Sequence, residues 1–100
     1  MAFPKEVKIA VGYALSEAQK GRKASYANPL KGLGPGVLEI VADHNTDTYR
    51  SVYAVKLADD ILVLHAFKKK SKSGSATPKS EIDLVKSRLK QVQAQLRRKT

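Results

Sequence analysis

Apolar residues recur every three or four positions near both ends of the chain, which is the spacing of an amphipathic helix packed on a core. The first series predicts a helix from Pro4 to about Gln19, with Gly21 just past its end. The second predicts a helix after Thr77 and Pro78, which suit an N-cap and a first turn. The core-facing positions are Val7, Ala10, Val11, Ala14, Leu15 and Ala18 in the first helix and Ile82, Val85, Leu89, Val92 and Leu96 in the second.

Three strand-like runs lie between these helices, and short polar turns separate them. Turns this short force neighbouring strands to run antiparallel, so the runs predict a meander. The third run, ILVLHAF, is almost continuously apolar, which is typical of a central strand. The predicted strands are Val37 to Ala42, Thr48 to Leu57 and Asp60 to Phe67, and the turns are Asn45 to Asp47 and Ala58 to Asp59.

Two segments carry no periodic pattern. Residues 21–36 are rich in Gly, Asn, Pro and Lys and predict a loop with a short helical turn near Ser25 to Ala27. Its glycines precede a strand rather than a helix, so they are interpreted as turn formers and not as a phosphate-binding loop. Residues 68–79, KKKSKSGSATPK, predict a solvated basic loop.

Strict alternation in the second predicted strand separates its side chains into two faces. Tyr49 and Tyr53 share one face and are expected to pack beneath a helix, with Arg50 on the other face. Tyr26 lies in the preceding loop and is a candidate for stacking on a nucleic-acid base.

Length and composition indicate one domain over residues 1–100. The order of the predicted elements makes it α+β: an N-terminal helix or helical hairpin, an antiparallel sheet of three or more strands, and a C-terminal helix. The chain has no cysteine, which excludes disulfides and a cysteine nucleophile. It carries no metal-binding or nucleotide-binding motif, so we expect no metal and no cofactor. Its apolar runs are too short to span a membrane and no signal peptide is evident, so we expect a cytoplasmic protein without a membrane partner.

The balance of charge changes this picture most. The sequence holds 19 Lys and Arg residues against 9 Asp and Glu, a formal charge of +10. A polyanion is the expected partner, and nucleic acid is favoured because no long amphipathic helix backs its basic residues with Trp or Phe. The alternative is an ordinary basic protein that its charge keeps soluble.

Candidate chemistry lies where the second and third strands pair. Antiparallel pairing places Arg50 near the start of the basic loop, so a phosphate would fit between Arg50 and the lysines, which would stabilise its extra charge during cleavage. The alternatives are a salt bridge for Arg50 and a merely solvated loop. The lysines concerned are Lys68, Lys69, Lys70 and Lys72.

The two histidines are the general acid or base candidates near neutral pH. His65 lies within the apolar third run, where a hydrogen-bonded sheet histidine is the ordinary interpretation. His44 lies at a strand end, where surface exposure is ordinary.

Three blocks of sequence carry a resemblance to a known family: PLKGLGPGVLEI, TYRSVYAVKLADDILVLHAFKKKSKSG and ATPKSEIDLVKSRL. From Phe3 to Leu96 the chain resembles RelE/HigB-type toxins of type II toxin-antitoxin systems, within the RelE/ParE superfamily and closest to its phage-type HigB-like branch. The middle block is the most specific, because it joins a Tyr-Arg strand motif to an immediate basic cluster.

The resemblance implies a metal-independent endoribonuclease that cleaves messenger RNA on the 70S ribosome by attack of a ribose 2′-hydroxyl. It also implies an antitoxin partner of the helix-turn-helix type. Arg50 then contacts the scissile phosphate, and Lys68 and Lys69 match the basic pair after the last strand. The catalytic candidates are Arg50, Lys69, Lys68 and His65, and the RNA-binding candidates are Lys31, Lys70, Lys72 and His44.

The chain also departs from the RelE pattern. The first strand of the meander has Glu39 and Val41 where related toxins have basic residues, and no tyrosine follows the basic cluster. The general base must then come from His65, His44 or one of the lysines in 68–72. Many members also have a strand before the first helix, which has no counterpart in this pattern.

Two other functions remain open. A ParE-like protein shares the fold but poisons DNA gyrase without cutting RNA. A non-catalytic basic module would bind nucleic acid through salt-dependent phosphate contacts alone.

Overall fold

The computed structural model describes residues 3–57, 60–69 and 77–99. A helix near each end flanks an antiparallel sheet, which confirms the predicted α+β class with a single N-terminal helix rather than a helical hairpin. The elements are α1 (Lys5–Gln19), β1 (Ala27–Pro29), β2 (Val37–His44), β3 (Asp47–Leu57), β4 (Asp60–Lys69) and α2 (Lys79–Lys99).

The sheet has the order β1-β2-β3-β4, and every neighbouring pair is antiparallel. The prediction that the third run is central is therefore wrong, because it forms β4 at an edge of the sheet. The apolar run makes contacts on both faces, since Leu64 packs toward α2 and Ile61 packs against the core beneath α1, while Val63 between them is 53% exposed. An edge strand that contacts a helix on each face also has apolar residues on both faces. Its sequence therefore resembles that of a central strand.

The segment before β2 forms a strand where the sequence predicted a helical turn. Ser25 and Tyr26 make a turn, and Ala27 then enters β1 opposite Ile40 of β2. The Tyr26 hydroxyl donates to the carbonyl of Ala10 at 2.6 Å, which anchors the loop to α1. Tyr26 is therefore held by the fold, and its predicted availability for base stacking is not observed.

The β2–β3 hairpin is longer than predicted. Strand β2 continues to His44, and the turn shrinks to Asn45 and Thr46, with Asn45 at φ 58°. Asparagine tolerates this left-handed conformation better than most residues, so the sequence suits the tight turn. The turn sets the register in which Val41 lies opposite Arg50.

One face of the sheet is covered by α1. Tyr53 and Ile40 are fully buried against Ala14 and Ala18 of the helix, and Tyr49 packs in a second cluster under its first turn. The prediction that both tyrosines lie beneath a helix is confirmed.

The opposite face is covered by α2. Val52 and Ala54 of β3 pack with Leu64 against Val85 of the helix. A bulge lies between Val52 and Tyr53 in the β3–β4 register, and it adds one residue of β4 at this point. The two helices therefore stabilise the sheet from opposite sides, and each side carries its own set of polar groups.

Burial of Tyr53 predicts a loss of stability at high pH. Desolvation raises the pKa of Tyr53 above its ordinary value of 10.0. A raised pKa means stability that is present below the unfolded value and lost as pH rises through the folded value, since the unfolded chain ionises first. We therefore expect urea midpoints to fall above about pH 10 and to fall less in Tyr53→Phe. An equal decline in Tyr53→Phe would assign the effect to other groups.

Candidate functional site

Arg50 lies in a closed triangle of side chains on the α2 face. Its Nη1 donates to Glu39 Oε1 at 2.9 Å and to the Thr77 hydroxyl at 3.3 Å. Thr77 in turn donates to Glu39 Oε2 at 2.6 Å. The side chains of Arg50 and Glu39 are only 5% and 8% exposed, so this is a buried ion pair. The salt-bridge alternative for Arg50 is thus what the fold contains.

Thr77 does a different task from the one that the sequence predicted. Helix α2 begins at Lys79, directly after Pro78, and the Thr77 hydroxyl is donated to Glu39 instead of capping the helix. The Thr77 oxygen accepts from Arg50 Nη1 at 3.3 Å, which is the accepting role that a cap would give to a helix N–H. The contact joins the entry to α2 to the centre of the sheet.

The triangle forms part of the wall of an open cleft of about 600 Å³. The cleft lies between β1 and the start of α2, on the α2 side of the sheet. Arg50 Nε is buried and has no hydrogen-bond partner among the described residues. A buried donor without a partner is costly, so it favours any anion that enters the cleft. The lining residues are Asn28, Pro29, Leu30, Lys31, Glu39, Val41, Arg50, Thr77 and Ile82.

One predicted lysine lines this cleft, and another lies on the same face of the sheet. Lys31, an RNA-binding candidate, lines the cleft and is exposed. Lys69, a catalytic candidate, lies opposite Thr48 at the end of β4, and the register places it on the same face of the sheet as Arg50. The fold therefore places three of the predicted cations, Arg50, Lys31 and Lys69, on one side of the molecule.

His65 lies on the same face and is held by two residues of α2. Its Nε2 lies 2.6 Å from Glu81 Oε1, and its Nδ1 lies 2.8 Å from Arg88 Nη1. A guanidinium only donates, so Nδ1 accepts, and the ring proton is on Nε2 and is donated to Glu81. Arg88 also donates to the carbonyl of Leu64. This is the hydrogen-bonded sheet histidine that the sequence favoured; a catalytic role stays a prediction.

Phe67 lies between the Arg50 triangle and the His65 group on this face. It lies opposite Arg50 in the β3–β4 register, and its ring stacks on His65 with centroids 5.4 Å apart. Phe67 is buried. The Arg50 triangle and the His65 group are thus separated by one apolar ring.

Two candidates lie on the other face, under α1. Lys68 is opposite Tyr49 in the register, and its Nζ lies 3.7 Å from Asp47. His44 Nε2 lies 3.4 Å from the Glu6 carboxylate. The fold therefore does not bring Lys68 and His44 together with Arg50.

The basic loop begins later than predicted. Lys68 and Lys69 are the last residues of β4, because their backbones continue the ladder opposite Tyr49 and Thr48. The loop predicted over 68–79 is wrong at its start, and this pairing assigns the two lysines to opposite faces. Lys70 and Lys72 lie outside the described residues.

A family comparison assigns most of the chain to one family. The sequence model described as "Phage derived protein Gp49-like (DUF891)" matches residues 1–90. The chain belongs to the Gp49-like family. At a coarse level this is a toxin-like family of RelE/HigB character, which confirms the resemblance at that level. No curated protein and no solved structure matches the chain.

Sequence reasoning missed half of the site of this Gp49-like protein. It noted Glu39 only as a departure from RelE and did not single out Glu81 or Arg88. The contact of Glu39 could in principle be predicted from the sequence. A two-residue turn after His44 places Glu39 diagonally across from Arg50 on the same face of the hairpin. Glu81 and Arg88 had no such signal, because only helix docking brings α2 to His65.

The described ranges contain neither a metal-binding cluster nor a membrane-spanning helix. Within 3–57, 60–69 and 77–99, no group of three or more His, Cys, Asp or Glu side chains is arranged to hold a metal ion. No helix in this part of the Gp49-like chain combines the length and apolar character needed to cross a membrane.

Proposed function

We propose that the protein is the toxin of a type II toxin-antitoxin module and that it cleaves messenger RNA on the ribosome. The observation that carries the proposal is the Arg50 Nε donor, which is buried without a partner in a residue lining an open cleft. Membership of a toxin-like family and a formal charge of +10 support it.

The chemistry is attack of a ribose 2′-hydroxyl on the adjacent phosphorus. The new bond to the 2′ oxygen forms as the bond to the 5′ oxygen breaks, and the 5′ oxygen takes up a proton from solvent, which leaves a cyclic phosphate and a 5′-hydroxyl. Arg50 holds the phosphate through Nε, and Glu39 fixes the guanidinium plane from behind. Preorganised donors of this kind stabilise the added negative charge of the transition state.

Proton transfer needs an acceptor for the 2′-hydroxyl proton. Among the side chains that line the cleft, Glu39 supplies the carboxylate, and a carboxylate can act as a general base. His65 is the second candidate, and its imidazole would have to release Arg88 to expose Nδ1. Lys31 and Lys69 then attract the RNA backbone at either side.

The partner that restrains this activity would be an antitoxin, of the helix-turn-helix type implied by the RelE/HigB resemblance. The +10 charge supports an acidic binding segment, since complementary charge speeds association and selects the partner.

The deciding experiment maps messenger RNA 5′ ends on purified 70S ribosomes. We expect new ends within codons for the native chain, and about 10²–10³-fold fewer in Arg50→Ala, because one oxyanion donor contributes that much. Lys69→Ala and His65→Gln are measured beside it. Lys86→Ala is the matched control, since Lys86 is exposed on α2 and does not line the cleft.

Each outcome separates the functions. Cuts that persist in folded Arg50→Ala would contradict the role of Arg50, and activity retained in His65→Gln would remove His65 from the candidates. Growth arrest without cuts would favour a gyrase poison. Absence of both, with steeply salt-dependent RNA binding, would favour a non-catalytic module.

A further inference from the structure

The outer face of α1 carries large apolar side chains that the fold leaves exposed. Ile9 and Tyr13 are 62% and 57% exposed and are one turn apart on the helix. The inner face of the same helix is fully used, since Val7, Ala14 and Ala18 are buried in the core. Ile9 and Tyr13 therefore take no part in packing α1 on the sheet.

Gly12 lies one turn after Ile9, beside it on the flank of the same exposed face and away from Tyr13. A Cβ at Gly12 would meet nothing within 4 Å, so no contact in the chain requires a glycine there. Its φ is not positive, so the helix backbone does not require a glycine either. Glycine in a helix interior lowers helix stability relative to alanine. A small residue at this place lets a second helix approach the backbone closely, as small residues do at helix crossings.

The charge around this face selects the partner. Lys5 and Lys8 are exposed at its N-terminal end and have no ion pair among the described residues. Glu6 on one flank lies against His44, and Glu17 at the far end pairs with Arg22. The free charge on the face is therefore positive.

We propose that the outer face of α1, formed by Ile9, Gly12 and Tyr13 with Lys5 and Lys8 beside them, binds an acidic amphipathic helix of another protein. The apolar stripe of that helix packs on Ile9 and Tyr13 and comes closest to the α1 backbone at Gly12, beside Ile9. Its Glu or Asp residues face the lysines.

A second copy of the chain fits this face less well, because two copies would set their lysines against each other in a protein of charge +10. A lipid surface would gain nothing from the glycine, and the face offers no Trp or Phe to insert. Helix α1 lies on the side of the sheet opposite α2 and the cleft, so binding here leaves the cleft accessible. The site is thus independent of the proposed nuclease.

The test uses a synthetic helical peptide of about 18 residues, with Leu on one face and Glu on the flanks. A peptide of the same composition, scrambled so that no single apolar face forms, separates helix docking from simple charge attraction. Affinity is measured by fluorescence anisotropy, and the contact is located by amide chemical-shift changes in the labelled full-length chain.

We expect the amphipathic peptide to bind about tenfold more tightly than the scrambled one and to shift amides of α1. Gly12→Gln should weaken its binding about tenfold, since the side chain fills the approach without disturbing any contact in the fold. Ser87→Gln adds the same side chain to an exposed position of α2 and should leave binding within about twofold.

Four results would overturn the proposal. These are equal binding of the two peptides, shifts confined to the α2 face, affinity unchanged in Gly12→Gln, and a dimer in sedimentation that Gly12→Gln abolishes, which would assign the face to a second copy. Binding to phosphatidylglycerol vesicles that Ile9→Asp abolishes and Gly12→Gln leaves intact would assign it to a membrane surface instead.

Discussion

Glu39→Ala is expected to lower the free energy of unfolding by about 3–5 kcal/mol. The substitution leaves the Arg50 guanidinium buried without its counter-charge, 2.9 Å from where the carboxylate stood. It also takes away the acceptor of the Thr77 hydroxyl, so the entry to α2 loses its link to the sheet. Urea unfolding followed by circular dichroism measures the change, with the slope against denaturant checked for two-state behaviour.

A double variant shows whether the loss in Glu39→Ala comes from the unpaired charge of Arg50 or from the lost volume of the side chain. Glu39→Leu combined with Arg50→Met replaces the ion pair by apolar groups, which is neutral or stabilising in well-packed cases. We therefore expect the double variant to be within about 1 kcal/mol of the native chain or more stable. A loss below about 1 kcal/mol in Glu39→Ala itself would mean that water reaches the guanidinium and that the pair is not buried.

Ile40→Ala is expected to cost about 2–5 kcal/mol, through lost burial and the cavity that remains. Ile40 is fully buried in the cluster that joins the sheet to α1, next to Tyr53 and Ala14. A chain of this length has a total stability of about 5–15 kcal/mol, so the variant approaches unfolding at moderate temperature. Thermal and urea midpoints measured on the same samples give the loss.

Ile9→Ala is the matched control for this cavity. The same atoms are removed from a side chain that is 62% exposed on the outer face of α1. Its unfolding free energy should change by no more than about 0.5 kcal/mol, because exposed substitutions rarely do more and alanine favours the helix. If Ile40→Ala cost no more than Ile9→Ala, the α1 face would not be the core described.

Burial of the Arg50 triangle has a consequence for the proposed reaction. The guanidinium charge is balanced by Glu39, and Nε is a donor that no side chain among the described residues satisfies. Thr77 and Ile82 line the same cleft, so the entry to α2 forms one of its walls.

Local pattern in the sequence was enough to predict most of the fold. The helix near each end and the three long strands follow from the spacing of apolar residues along the chain. Their predicted bounds differ by only a few residues from the observed ones. The short strand β1 and the edge position of β4 could not be predicted in this way. Strand order depends on which surfaces bury one another, and a single apolar run carries no information about its neighbours.

For the candidate site, the sequence by itself determined the positive charge, because charge depends on composition alone. It also determined that Arg50 lies on the strand face opposite the buried tyrosines, because faces follow from the alternation of side chains. Only the tertiary structure decided which contacts α2 makes, whereas the contact between Glu39 and Arg50 depends on the exact length of one hairpin turn. Glu39 reaches Arg50 through a hairpin register set by Asn45, and Glu81 reaches His65 because α2 docks through Val85. Contacts between residues distant in sequence arise from the packing of whole elements, which no local pattern encodes.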